Sequence, residues 1–334
     1  LHAGAARGVE ATILPARGVP HRLFPFQPLH RQQWWRNVSW PLLATRLVRE
    51  IDQWLDEIAP DLVVGTGGYV SAPVVWRAAR RSIPTAILEL DVHPGLATRL
   101  VASRVDEIWL ATEASRAGLP AKARGRAHLT GAPILPPDPE RRGEARVRFG
   151  FDSDRPVLIV TGGSQGSLAL NRVVADWLVE GGGDGLQVIW ATGTRTHAEF
   201  AALHQPPFRH VLDFIDPMAD AWAVADIALT RAGRMTLAEL TAWGIPAILV
   251  PLPSAAADHQ TPNAQAAQVA GYAVHLPQRE LTPTRLQTEI AMILGDPGHV
   301  AAMRAAARRS ALPHAADTLA RRALALIRAD AGPI

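Results

Sequence analysis

The residues richest in possible chemistry sit in two glycine turns, Gly65-Thr-Gly-Gly-Tyr-Val-Ser71 and Thr161-Gly-Gly-Ser-Gln-Gly166, and in the stretch from Ala225 to Ala264. Each turn follows a short apolar run and precedes a helical pattern. Glycines there let a ligand approach the backbone, and the free amides at a helix start suit the charge of a diphosphate. Ser164 adds a hydroxyl donor. Neither turn is the dinucleotide fingerprint G-x-G-x-x-G, and neither carries the lysine of a Walker loop, which disfavours a hydride-transferring Rossmann enzyme. One such turn alone is equally a tight strand-to-helix connection with no ligand. Two of them in separate halves of the chain, together with the third stretch, point to a nucleotide site.

The third stretch reads ADIALTRAGRMTLAELTAWGIPAILVPLPSAAADHQTPNA. It predicts a strand at Ile227–Thr230, a break at Arg231-Ala-Gly233, and a helix from Thr236 to near Gly244. A strand at Ala247–Pro251 follows, then a polar loop that opens another helix. Thr236 and Glu239 have the T-x-x-E spacing of a capping box. A glutamate in the first turn of a helix facing a nucleotide can also accept hydrogen bonds from ribose hydroxyls. In Asp258-His-Gln-Thr-Pro-Asn263, Thr261 reads as an N-cap and Pro262 as the first helical residue. No metal site is expected, because Asp258 and His259 lack a second ligand pair at helical spacing. Asp152-Ser-Asp154 reads as a solvated turn, and no cofactor is implied.

Behind these residues stands a regular alternation of elements. Strands are expected at Asp61–Gly65, Pro84–Leu90 and Glu107–Ala111, then at Pro156–Thr161, Gln187–Ala191, near Val211, Ile227–Thr230 and Ala247–Pro251. Helical patterns lie between them, with further helices at Glu140–Phe149, Thr282–Leu294, His299–Ser310 and Ala315–Ala329. Two such series argue for two α/β domains with parallel sheets. The boundaries are 1–134 for the first, a linker rich in proline and arginine at 135–155, and 156–313 for the second.

Composition narrows the choice. A chain of 334 residues, 48% apolar and 19% charged, is long enough for two cores. It has no cysteine, which excludes disulfides, thiolate metal sites and thiol nucleophiles. Lys122 is the sole lysine, the arginines are scattered, and the formal charge is only +3. That is no footprint for nucleic acid.

Taken in order, GTGGYVSAP (65–73), GGSQGSLALN (162–171), FIDPM (214–218), RAGRMTLAEL (231–240) and HQTPNA (259–264) resemble the MurG family of N-acetylglucosaminyl transferases. The motifs keep family order and spacing, and the resemblance spans essentially the whole chain. It implies an α/β fold of the GT-B type, two Rossmann-like doubly wound parallel-sheet domains facing a cleft. A C-terminal helix, about 314–331, is expected to return to the first domain. The implied reaction moves N-acetylglucosamine from UDP-GlcNAc to the C4 hydroxyl of the muramyl sugar of lipid I, with inversion. The implied place is the cytoplasmic face of the bacterial inner membrane.

By the same resemblance, Gly163, Ser164 and the helix amides after them contact the diphosphate. The backbone of Ile215 holds uracil, with Phe214 beside it. The turn of Arg234, Met235, Thr236, Leu237 and Ala238 also faces the phosphates, and Glu239 binds the ribose. Gln260, with His259, reads hydroxyls of the transferred sugar. Gly67, Gly68, Tyr69 and Ser71 face the lipid diphosphate of the acceptor, with Glu89 in the acceptor site.

Three departures carry consequences. The family opens with a GGTGGH-type loop whose histidine is often proposed as general base, and nothing before Arg7 resembles it. The residues from Arg7-Gly-Val-Glu10 resemble the family's segment after its second strand. A longer natural protein is therefore expected, with a first strand that is central in a doubly wound half. Asp91 stands where the family has asparagine and is a candidate carboxylate base. Leu135 stands where an arginine follows the G-N-P-V element, here Gly131-Ala-Pro133-Ile, and a donor-holding cation is lost. The rivals are another GT-B enzyme (a glycolipid glycosyltransferase or a UDP-GlcNAc 2-epimerase) and a non-catalytic nucleotide-sugar binding protein.

Residues 24–54 carry Phe24, Phe26, Trp34, Trp35, Trp40 and Trp54 among Arg31, Arg36, Arg46 and Arg49. This load suggests a peripheral face for an anionic membrane surface, with Trp34 and Trp35 as the best candidates. Leu43, Leu47 and Ile51 read instead as the buried side of a helix packed on the sheet.

Overall fold

The computed structural model describes every residue except 7–9, 26–39, 153, 164, 254–257, 259 and 331–334; for 40–44, 69 and 330 it describes the backbone only. The chain divides into two compact units, residues 1–131 with 317–334, and residues 132–316.

The first unit opens with β1 (His2–Ala5), α1 (Glu10–Ala16) and β2 (His21–Phe24), a short parallel pair running from His2 opposite His21 to Ala5 opposite Phe24. The long helix α2 (Trp40–Ile58) follows, then β3 (Val63–Gly65), α3 (Gly68–Arg80), β4 (Thr85–Glu89), α4 (Leu96–Val101), β5 (Glu107–Leu110) and β6 (Ala127–Leu129). Strands β3 to β6 form a second parallel sheet in sequence order. β4 is buried along its whole length, as strands covered on both faces must be. α2 places Leu47, Ile51 and Leu55 on one stripe, where they pack with Phe24, Trp54, Val70 and Val74. The rings of Phe24 and Trp54 meet edge to face at 5.5 Å.

That packing corrects part of the membrane expectation. Phe24 and Trp54 are core residues, because their positions fall on the apolar stripe of the β2–α2 unit. Phe26, Arg31, Trp34, Trp35 and Arg36 lie outside the described residues, as do the side chains of Trp40 and Leu43. Arg46 pairs along the helix with Glu50. Among the described residues, no helix is long and apolar enough to cross a membrane.

The second unit begins with α5 (Arg141–Phe149) and runs through β7 (Val157–Thr161), α6 (Leu168–Val179), β8 (Gln187–Ala191), α7 (His197–Phe200), β9 (Arg209–Leu212), α8 (Met218–Val224), β10 (Ile227–Thr230), α9 (Arg234–Trp243), β11 (Ala247–Leu249), α10 (Gln260–Val269), β12 (Ala273–His275), α11 (Pro283–Leu294) and α12 (Pro297–Arg309). Its sheet is parallel, in the order β12-β11-β10-β7-β8-β9. Residues 135–155, expected as a linker, lie inside this unit. Ala145 and Phe149 of α5 enter its core. The arginines on the outer side of α5 reach Asp220 and Asp226, Arg141 Nη1 at 2.7 Å and Arg142 Nη2 at 3.2 Å.

The last helix, α13 (Ala315–Asp330), belongs mostly to the first unit. Leu319, Ala323 and Leu326 cover Ala86, Leu88 and Trp109 of that sheet. Arg322 grips Glu107 with two bonds of 2.7 and 2.6 Å, and the indole of Trp109 donates to the same carboxylate at 2.6 Å. Burial works to raise the pKa of Glu107, but these donors outweigh it and hold the carboxyl below its ordinary value.

Candidate functional site

In the second unit Thr161 and Thr230 lie opposite each other in the β7–β10 pair, so the turns that follow leave side by side. From β7 the chain steps to β8 and β9 on one side; from β10 it steps to β11 and β12 on the other. Open α/β sheets take their ligands at this switch point, outside the carboxyl ends of the strands.

The turn after β7 is shaped by two glycines. Gly166, at φ 70°, passes so near β8 that a Cβ there would stand 2.2 Å from Thr192 O. Gly163, at φ 87°, has nothing within 4 Å of where a Cβ would stand, so its backbone faces open space. Ser167 caps α6 by accepting from Leu170 N at 3.4 Å, and the amides ahead of Leu170 lie outside the helical ladder. Buried Asn171 fixes the helix to the end of β8. It donates to Thr192 O at 2.7 Å and accepts from Trp190 Nε1 at 3.0 Å. Ser164 lies outside the described residues.

The turn after β10 departs from expectation. Helix α9 begins at Arg234 with Gly233 as N-cap, two residues before the T-x-x-E pattern would start it. Thr236 is therefore the third helical residue, and the capping box with Glu239 is not formed. Leu237 N closes the first helical bond on Gly233 O at 3.0 Å, and its side chain is in the core. The amide of Ala238, one position further, is spent in the helix as well. Met235 and Thr236 thus sit ahead of the first amides used by the helical ladder, whereas Leu237 and Ala238 lie within it. The side chains of Thr236 and Ala238 are half-buried, while Met235 is exposed.

Beneath both turns lies a cation that sequence reasoning treated only as a strand break. Arg231 is buried, and no carboxylate pairs with it among the described residues. Its Nη1 donates to Val250 O and Pro251 O at 3.1 Å each, and its Nη2 to Ser167 Oγ at 2.6 Å and Gln278 Oε1 at 2.7 Å. Burial alone pulls its pKa down to about 10, still far above neutrality. The unit thus keeps a full positive charge within the framework of two helix starts. Asn263, fully buried, donates to Ala232 O at 3.1 Å and steadies the same turn. Among the described residues, Thr230 Oγ1, Arg231 Nε and Asn263 Oδ1 are buried there without partners.

Glu239 stands one turn into α9, partly buried. Burial raises its pKa, and the indole of Trp222 works the other way without completing a hydrogen bond of full geometry. A half-buried carboxylate with spare acceptor capacity suits a diol. Gln260 begins α10, and its Oε1 accepts from Leu252 N at 3.0 Å, so it orders the loop before it. Thr261 is inside α10, where its hydroxyl donates to Asp258 Oδ1 at 2.7 Å. It is not the N-cap, nor is Pro262 the first residue, because the helix starts at Gln260. His259 lies outside the described residues. Beyond β9, Ile215 is buried in the core while the ring of Phe214 is exposed.

In the first unit Gly67 and Gly68, at φ 94° and 75°, open α3 with free space around both. The side chain of Tyr69 is outside the described set. Ser71 departs from expectation, since its Oγ is buried and lines a cavity within the unit. Glu89 is also committed: its two oxygens accept from Asp91 N and Gly95 N at 3.0 Å each, which folds residues 90–95 into a tight loop. Ser115 Oγ donates to Asp91 O at 2.6 Å. The carboxylate of Asp91, half-exposed on that loop, has no bond among the described residues.

The sequence matches the glycosyltransferase family 28 N-terminal domain over residues 2–110 and its C-terminal domain over residues 157–319. A protein of Salinibacter ruber is 37% identical over 333 residues, 97% of this chain and 87% of that one. A protein of Corynebacterium efficiens is 38% identical over 321 residues, 95% of this chain and 86% of that one. Both are named UDP-N-acetylglucosamine–N-acetylmuramyl-(pentapeptide) pyrophosphoryl-undecaprenol N-acetylglucosamine transferase. The chain belongs to the MurG family of glycosyltransferases. The crystal structure of Acinetobacter baumannii MurG matches with a TM-score of 0.73 at 24% identity, over 96% of this chain and 90% of that one. UDP-GlcNAc 2-epimerase of Neisseria meningitidis, bound to UDP-GlcNAc, matches at 0.65 and 13% identity over 97% and 90%. These likenesses show the GT-B fold, shared by transferase and epimerase, while the sequence relatives show the MurG family. Leu135, an apolar residue, is 81% exposed, whereas Arg231 is buried.

Sequence reasoning missed Arg231, Ser167 and Asn263 as parts of the site. An arginine directly after the apolar run IALT was the available signal, since a strand end buried on both faces would hold a cation only for a reason.

Proposed function

We propose that this protein transfers N-acetylglucosamine from UDP-GlcNAc to the C4 hydroxyl of the muramyl sugar of lipid I, with inversion at the anomeric carbon. One observation carries the reading: two helix starts leave registered strand ends, with a buried arginine, unpaired with any carboxylate among the described residues, bonded to the cap of one of them. The acceptor oxygen attacks the anomeric carbon opposite the diphosphate. The bond from that carbon to the diphosphate oxygen breaks, and UDP departs with the electron pair. The amides of α6 and α9 and the charge of Arg231 meet the negative charge that develops on the leaving group, which is electrostatic catalysis by preorganised donors. Glu239 takes the ribose hydroxyls. The acceptor's proton goes to a base, for which Asp91 is our candidate.

The glycine turn at 67–68 would hold the acceptor's diphosphate on the first unit. An acceptor with a lipid tail calls for peripheral attachment to an anionic membrane surface at the cytoplasmic face. The test is incubation with UDP-GlcNAc and a lipid I analogue. A disaccharide lipid plus UDP supports the proposal. UDP-N-acetylmannosamine, or its hydrolysis by water to N-acetylmannosamine and UDP, would indicate an epimerase, and binding without turnover a nucleotide-sugar binding protein.

A further inference from the structure

The second unit has a cavity that the two turns at its switch point do not use. It lies at the opposite ends of the strands, beside Leu186 and Val188 where β8 begins and Arg209 where β9 begins. Arg155, Gly183, Asp184, Gly185, Phe208 and Arg209 also line it. β8 has five residues, so roughly 15 Å of strand separates this cavity from Thr192 and the turn after β7. Its volume is about 240 Å³, below the roughly 300 Å³ at which drug-sized pockets begin, so its ligand is small.

Three charged groups line this cavity without neutralising one another. Arg155 lays its guanidinium over the ring of Phe208, 5.2 Å from the centroid. Arg209 Nη2 donates to the neutral Gln205 Oε1 at 2.8 Å. Among the described residues no carboxylate pairs with either arginine, and the carboxylate of Asp184 pairs with no cation. Phe208 is 46% exposed, a large apolar surface beside two cations. Its backbone is fixed, because Phe208 O accepts from Val188 N at 2.9 Å. Gln205 and Arg209 exchange two backbone bonds of 2.9 Å around it.

The glycine run in the same lining is shaped for negative charge. Gly183 and Gly185 have φ of 86° and 78°, while Asp184 between them keeps a negative φ. Successive amides in such an alternation converge into a concavity that suits an anion. Leu186 N closes the turn on Gly183 O at 3.0 Å, and a Cβ on Gly185 would meet nothing within 4 Å. The run is pinned from beneath. A Cβ on Gly182 would stand 2.2 Å from Trp177 Nε1, which donates to Gln287 Oε1 at 2.7 Å.

We propose that this cavity binds a small organic carboxylate carried on a flat apolar group. The carboxylate oxygens take the guanidinium groups of Arg155 and Arg209, whose planar forks suit bidentate contacts, and the amides of the glycine turn. The flat group packs on the ring of Phe208, beside the stacked guanidinium. Two arginines against one aspartate leave a single positive charge in the lining, which matches a monoanion. Nothing in this site depends on the transfer of N-acetylglucosamine.

The test titrates the full chain, labelled with nitrogen isotope, with sodium benzoate and follows backbone amide and arginine Nε resonances. Gly183, Asp184, Gly185, Arg155 and Arg209 are expected to shift along one saturating curve, with Gly163 and Gly166 unmoved. Benzyl alcohol and benzylamine, the neutral and cationic analogues, should bind about tenfold more weakly or worse. Arg155→Gln combined with Arg209→Gln should weaken benzoate by about the same factor. Asp184→Asn removes a like charge and should tighten it, a gain that no damage to the fold produces. Shifts that never saturate, benzylamine binding as well as benzoate, or weaker binding in Asp184→Asn would overturn the inference. Benzoate shifts confined to Gly163 and Gly166 would do so too, since the anion would then sit at the switch point.

Discussion

Arg231 Nη2 donates to Ser167 Oγ at 2.6 Å, tying the cation at the end of β10 to the hydroxyl that caps α6. One contact thus couples the two turns that leave the switch point. Among the described residues no carboxylate pairs with the guanidinium, so its charge remains available to an anionic ligand.

Arg231→Met tests this coupling. It strips donors from Val250 O, Pro251 O and Ser167 Oγ, and it removes the charge. Donor KM should rise at least tenfold, a loss of about 1.4 kcal/mol or more. The inhibition constant of UDP should move by the same factor, while that of uridine moves little. Equal losses for UDP and uridine would mean that the residue acts only on the fold.

Glu239 is held above its ordinary pKa by burial. Such a group favours folding most when protonated, and its contribution is lost as pH rises through the raised value. Glu239→Gln should therefore raise the Tm of the ligand-free protein by a few degrees at pH 8 and by less at pH 4. The same variant should weaken UDP-GlcNAc binding about tenfold or more, because a carboxylate accepts from both ribose hydroxyls and an amide from one. Calorimetric scans at the two pH values, with and without donor, measure both effects.

Asp91→Asn bears on the base. Loss of a positioned general base lowers kcat by roughly 10²–10⁴. Donor KM should stay put. Full turnover would remove Asp91 from the mechanism.

Arg322 fastens α13 to the first sheet through Glu107. Arg322→Ala should cost about 1–3 kcal/mol of stability near neutral pH, the worth of hydrogen bonds to a charged group. Glu107 has a depressed pKa, so its contribution is present above the ordinary carboxylate range and fades as pH falls through the depressed value. The difference between parent and variant in urea unfolding should shrink accordingly at low pH.

Much of this arrangement is legible in the residues. Ile227–Thr230 and Gln187–Ala191 are strands to the residue, because unbroken apolar runs bounded by turns leave little choice. Helix starts are harder. The spacing of Thr236 and Glu239 satisfies a local rule, yet the tertiary position of Gly233 starts α9 two residues earlier. β1, β2, β6 and β12 escape a reading of the residues, since three or four positions carry too little pattern to separate a strand from a loop. Arg231 is visible as a residue but not as a buried one. Burial depends on β7, α6 and the loop after β11 closing around it, which no local window contains.

Transfer assisted by Arg231 is tested most directly by following labelled N-acetylglucosamine from UDP-GlcNAc onto a lipid I analogue, with the parent protein and Arg231→Met side by side. The expected result is a labelled β-linked disaccharide lipid released in step with UDP, and a rate at limiting donor at least tenfold lower in the variant. Label that appears as UDP-N-acetylmannosamine or free N-acetylmannosamine, or that stays on UDP-GlcNAc bound equally by both proteins, would contradict it.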